Sequence, residues 1–107
     1  MGTEPTTDGR LALPADADPD TEKLFRAFVR EGRITAMPAR SGRRRRLLDH
    51  VAQLFEPGVR YPEPVVNETL LRVYDDQAAL RRYLVDEGLL ARDNHGVYWR
   101  CGGTIRP

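Results

Sequence analysis

Apolar residues recur at helical spacing in four places along this chain and alternate in two more. Leu24, Phe25, Phe28 and Val29 make the first helical face, and Leu47, Leu48, Val51, Leu54 and Phe55 the second. Val66, Leu70 and Val73 make a third, and Ala79, Leu80, Tyr83 and Leu84 a fourth. Repeats at three and four residues mark helices with one buried stripe. The punctuation around them agrees. Asp18 before Pro19 starts the first helix, with Asp20 and Glu22 in the first turn, where the helix dipole favours acids, and Gly32 ends the run. Ser41 is a candidate cap for the second, which continues to Phe55 and stops at Glu56-Pro57-Gly58. The third enters between Pro62 and Pro64 and covers Val65 to about Val73. Asp75 or Asp76 caps the fourth, which runs through Glu87 and ends at Gly88.

Strand-like stretches fill the gaps. Arg33 to Met37 contains β-branched residues in alternation and is closed by Pro38, and Arg60-Tyr61 has room for one strand pair. Leu89 to Arg92 and Val97 to Arg100 form a hairpin around Asn94-His95-Gly96, with Gly96 supplying a positive φ. Tyr98 and Trp99 then point to opposite sides, so one ring enters the core. From Ser41 onward this is the order of a winged helix-turn-helix, an α+β fold, here with an extra N-terminal helix and short strand. In that arrangement the last helix is the recognition element and the C-terminal hairpin is the wing.

A chain of 107 residues with 40% hydrophobic residues supports one small core. Residues 1–17 carry Leu11 and Leu13 as their main apolar anchors, too little to offset the entropy of ordering, and are expected to be a disordered acidic tail. The domain is expected over residues 18–101, with 102–107 frayed. No apolar run reaches the roughly 18 residues that span a bilayer, and no signal-peptide pattern opens the chain, so a cytoplasmic protein without membrane contact is expected. Cys101 stands alone, which agrees with a reducing compartment. The net charge of +1 conceals an asymmetry: residues 1–20 carry −4 and the remainder +5. All the basic residues except Lys23 are Arg. A GC-rich coding sequence explains that as readily as a need for bidentate contacts.

Several blocks taken together resemble a known family: Gly32-Arg33-Ile34 with Met37-Pro38, the arginine run into Leu47-Leu48, Phe55-Glu56-Pro57-Gly58, Tyr61 with Glu63 and Val66-Asn67, Leu80 to Val85, Gly88 to Arg92, and Gly96 to Arg100. Over roughly residues 20–100 they look like the bacterial family called domain of unknown function 2087. Members commonly carry Ser or Thr where this chain has Pro62. The resemblance implies a transcriptional role by association, because members occur alone or joined to helix-turn-helix regulators. It brings no catalytic residues.

The chemistry that the residues offer is nucleic-acid binding. Arg43, Arg44, Arg45 and Arg46 crowd the first turns of the second helix, at the positive end of its dipole, where exposed cations are unfavourable. A polyanion approaching that end would reverse the sign, engaging two or three of the four on phosphates. The bland alternative is a solvated basic turn that aids solubility or pairs with the acidic tail, which could fold back and mask it. On the fourth helix, Gln77 and Arg81 face outward and fit adenine and guanine edges, with Arg82 on a phosphate. Asp75, Asp76, Asp86, Glu87 and Asp93 surround those arginines, so the recognition surface is expected to be nearly neutral and Arg82 to pair with Asp86. In the wing, Asn94 and His95 serve the turn first, with His95 able to touch a phosphate, and Arg100 adds charge.

An enzyme is not expected. His50, His95 and Cys101 lack metal-ligand spacing, there is no glycine-rich phosphate loop, and neither a cofactor nor a metal is implied. The expected function is therefore a noncatalytic regulator that binds double-stranded DNA. Dimerisation through Phe25 and Phe28, or a partner protein, would supply the affinity a single reading helix lacks. Alternatives are a protein-interaction module on the same scaffold, or RNA or ribosome binding.

Overall fold

The computed structural model describes residues 9–104. They form an α+β domain of four helices and two small antiparallel sheets. Helix α1 (Pro19–Phe28) begins as expected, with Asp18 accepting a hydrogen bond from the Thr21 amide at 2.8 Å and Pro19 in the first turn. It ends earlier than its apolar pattern implied. Val29 leaves the helix to open strand β1 (Val29–Arg30), which pairs antiparallel with β2 (Arg33–Ile34). Glu31 and Gly32 both have positive φ, the geometry of a two-residue hairpin turn. The strand expected to reach Met37 stops at Ile34: the Thr35 amide still bonds the Phe28 carbonyl at 2.8 Å in the register of the pair, but Phe28 is the last residue of α1, so the partner strand has ended.

Helix α2 (Ser41–Ala52) corrects two expectations. Ser41 lies inside the helix, and the capping position belongs to Arg40, which makes no side-chain cap hydrogen bond. The helix closes three residues before Phe55, because the amides of Gln53, Leu54 and Phe55 bond to carbonyls three residues back and tighten the last turn. Strand β3 (Arg60–Pro62) leads into α3 (Glu63–Leu71). Pro62 takes its capping position, so α3 starts and stops two residues earlier than expected. Helix α4 (Gln77–Asp86) is capped by Asp76, whose carboxylate accepts from the Ala79 amide at 3.1 Å, and Gly88 follows it at φ 75°.

The hairpin of β4 (Leu90–Arg92) and β5 (Val97–Arg100) turns at Gly96, with φ 78°. Strand β3 joins its other edge, with Arg60, Tyr61 and Pro62 opposite Trp99, Tyr98 and Val97, so β5 is central in the order β3-β5-β4. This sheet closes one side of a core made by Leu47, Leu48, Val51, Phe55, Val66, Leu70, Leu80, Leu84, Leu89 and Tyr98. Tyr98 is the ring that enters the core, while Trp99 is half-buried beneath the Arg60 guanidinium, 4.7 Å from the ring centre.

Both ends of the described chain touch this body. Leu11, within the expected tail, is buried, and its amide donates to the Gly32 carbonyl at 3.0 Å. The approach is close enough that a Cβ on Gly32 would meet Arg10 at 2.6 Å. Thr104 donates from both amide and hydroxyl to the Asp49 carboxylate at 2.7 Å. Residues 1–8 and 105–107, the remainder of the expected tail and frayed end, lie outside the described residues. Among the described residues no helix is long and apolar enough to cross a membrane.

Candidate nucleic-acid interface

Four consecutive helical residues point about 100° apart, and each of the four arginines of α2 accordingly meets different neighbours. Arg43 lies 5.6 Å over the Phe28 ring of α1. Arg44 donates to the carbonyls of Ala39 (3.1 Å) and Pro38 (3.4 Å) and sits 5.3 Å over the Tyr83 ring of α4. Its Nε is buried without a hydrogen-bond partner among the described residues. Arg45 donates to the Glu87 carbonyl at 2.7 Å and its carboxylate at 3.1 Å, placing a cation at the negative end of α4. Arg46 reaches the Thr21 hydroxyl at 3.4 Å and the carboxylates of Asp18 and Asp20, each at 3.8 Å. The Asp18 carboxyl is held below its ordinary value, chiefly by the Thr21 hydrogen bonds and to a smaller degree by Arg46. The arginine run is thus a hub that fastens α2 to α1, to the loop before it and to the end of α4. Asp18 and Asp20 belong to the start of α1 and not to the expected tail, whose Glu4 and Asp8 lie outside the described residues.

A second group of arginines converges elsewhere. Arg81, Arg82, Ala78, Val85 and Asp86 of α4 form one wall of an open cleft of about 210 Å³. Arg92 of β4 and Tyr98 of β5 form the opposite wall. The Arg92 guanidinium lies 5.6 Å over the Tyr98 ring, whose hydroxyl donates to Glu63 at 3.1 Å. Burial, and then that carboxylate, push the Tyr98 phenol above its ordinary value. Arg82 is exposed. Arg81 is half-buried, and its Nη1 donates to the side-chain oxygens of both Asn67, on α3, and Gln77, the latter at 3.1 Å. Gln77 and Arg81, expected as independent readers of base edges, are therefore joined to each other.

The acids expected to neutralise this surface mostly face other partners. Asp75 is ion-paired with Arg33, Asp76 caps α4, and Glu87 is held by Arg45. Asp93 accepts from the amides of Val97 (3.0 Å) and His95 (2.8 Å), which hold its carboxyl below the ordinary range. Asp86 alone of the five lines the cleft, and it makes no ion pair with Arg82 among the described residues. The cleft is therefore lined by three arginines and one acid, Asp86.

The remaining expected contacts divide. Asn94 and His95 are exposed at the hairpin tip, in the turn that Asp93 organises. Arg100 is turned inward: it donates to the carbonyls of Gly102 (3.1 Å), Phe55 (3.3 Å) and Thr104, tying the hairpin to the end of α2. Phe25 is buried with its ring edge-on to His50 at 5.1 Å, and Phe28 is half-buried beneath Arg43, so the two do not form an exposed dimer face. Asn67, which positions Arg81, entered the sequence reading only in the Val66-Asn67 block of the family resemblance, with no role attached to it.

The protein is a small α+β domain with an arginine-lined cleft between its last helix and its C-terminal hairpin. Residues 33–100 match a family described as an uncharacterized protein conserved in bacteria (DUF2087), and the chain belongs to that family. The matched span covers every element from β2 to β5 and omits α1. No curated protein and no solved structure matches the chain.

Proposed function

We propose that this domain is a noncatalytic regulator that binds double-stranded DNA, with α4 in the major groove and the β4–β5 hairpin alongside as a wing. Two features support the reading. The order α2–β3–α3–α4–β4–β5, with β5 between β3 and β4, agrees with the order expected of a winged helix. The observation that carries it is the convergence of Arg81, Arg82 and Arg92 on one concave surface from which the neighbouring acids, Asp86 excepted, are drawn away.

Roles follow from exposure. Arg82, Ala78 and Val85 form the part of α4 free to approach base edges, where a guanidinium pairs with guanine and a small apolar group with the thymine methyl. Arg92, with Asn94 and His95 at the tip, follows the backbone. The α2 arginines, engaged within the protein, add a diffuse positive field rather than direct contacts.

The test is a titration of labelled duplex DNA with the whole chain at several salt concentrations. The reading predicts affinity falling linearly in log-log form, and a loss of affinity in Arg82→Ala and Arg92→Ala. Absence of duplex binding at low salt, with a partner protein bound instead, would assign the scaffold to protein docking.

A further inference from the structure

We infer that the cleft between α4 and the hairpin seats a phosphoryl group, with Arg81 as its fixed fork and Asn67 as the residue that positions that fork. The inference begins from hydrogen counting. Nη1 of Arg81 carries two hydrogens, and two acceptors, Asn67 Oδ1 and Gln77 Oε1, engage it. Three donors remain, one on Nε and two on Nη2, with no hydrogen bond among the described residues. Nε–H and the adjacent Nη2 hydrogen lie parallel on one edge of the planar group, the edge that binds two oxygens of a phosphate side by side, while the second Nη2 hydrogen points along the end shared with Nη1.

That arrangement argues against Arg81 as a probing base reader. To extend from α4 into a groove the half-buried side chain would have to break both bonds to Nη1. Held as it is, Arg81 lines the cleft together with Arg92 of the facing strand and exposed Arg82, and its unengaged donors are the ones a ligand there would meet. Ala78 and Val85 leave the wall between them apolar and without a competing donor. The rotamer entropy that a free arginine loses on binding has already been lost in the fold, which is what preorganisation contributes to affinity.

The source of the phosphate rests on the duplex-DNA reading. A helix in the groove and a hairpin outside it straddle one backbone strand, and the cleft between them is where that strand passes. A small phosphomonoester offers the same chemistry, and the experiment separates the two. The ¹⁵N-labelled full chain is titrated with inorganic phosphate, and separately with a short duplex, while the arginine Nε–H signals are followed. Phosphate should shift the Arg81 and Arg92 signals with a dissociation constant on the order of millimolar. Asn67→Ala should weaken that binding about tenfold and move the Arg81 signal in the free protein, with the melting temperature recording whether the fold persists. Arg92→Gln, outside the Asn67 network, should weaken phosphate to a similar degree. Phosphate shifts with no duplex binding would support the seat, assign it to a small phosphoester and remove the DNA reading. Duplex binding that leaves Arg81 and Arg92 unmoved would overturn the seat and leave the DNA reading standing. Phosphate shifts confined to Arg43 through Arg46 would also overturn it.

Discussion

The α2 run and the α4–hairpin cleft hold arginines of the same chemistry in opposite circumstances. In the run, adjacency in sequence disperses the side chains in space, and each meets an acceptor, a ring or a carboxylate of its own protein. In the cleft, residues 81, 82 and 92 come together only through the turn of α4 and the pairing of β4 with β5; Arg81 is held by Asn67 and Gln77, Arg92 lies over the Tyr98 ring, and Arg82 is exposed with no hydrogen bond or ion pair among the described residues. The density of charge along a chain is therefore a poor guide to where charge is available. What decides availability is whether neighbouring elements supply acceptors, as Glu87 does for Arg45 and as nothing among the described residues does for Arg82.

The comparison breaks most visibly at the cleft. Arg82→Ala with Arg92→Ala should lower duplex affinity on the order of 10- to 100-fold at low salt and reduce the salt slope by about 2, read by fluorescence anisotropy, with little change in melting temperature. The run should respond in the other currency, stability. Arg44→Ala removes two carbonyl hydrogen bonds and the contact over Tyr83. A loss of about 1–2 kcal/mol is expected, a fall in melting temperature of roughly 5–15 °C for a domain of this size, with duplex affinity changed less than about threefold. Gly96→Ala should cost about 1 kcal/mol through its positive φ, and by loosening the hairpin should weaken duplex binding by a smaller factor than loss of Arg92.

The smallest expected effect is on pH dependence. The Asp93 carboxyl is lowered in the fold by the amide hydrogen bonds of Val97 and His95, so its contribution is complete above the ordinary value of 3.8 and is lost as the pH falls through the lower folded value. Thermal melts over the acid range should therefore show a component below pH 3.8 that is absent in Asp93→Asn. The cleft should be indifferent to the same change near neutrality.

Local signals carried much of the fold. Asp18-Pro19, Asp76 and Gly96 act where their side-chain and backbone chemistry says they should, because a cap or a turn is decided within three or four residues. Val29 was read into α1 because it keeps the helical spacing, yet the positive-φ pair Glu31-Gly32 folds it into a hairpin. Ser41 has the right chemistry for a cap but stands one residue inside the helix, a shift no propensity resolves. The candidate site was less legible. Arg81 and Arg82 were visible as outward positions of a helix, whereas the Asn67 contact spans 14 residues and depends on how α3 crosses α4. The partners of the four arginines lie on α1, the preceding loop and α4, and a helical wheel gives directions without saying what lies there. The same limit explains the acids: near in sequence to Arg81 and Arg82, all but Asp86 are held by Arg33, by Arg45 or by backbone amides.

The most direct test removes equal charge from the two regions. Arg82→Ala with Arg92→Ala is compared with Arg43→Ala with Arg45→Ala for duplex affinity at one low salt concentration. The account predicts at least a tenfold loss in the cleft variant and less than about threefold in the α2 variant, whose melting temperature falls instead. Equal losses, or a greater loss from the α2 pair, would contradict it.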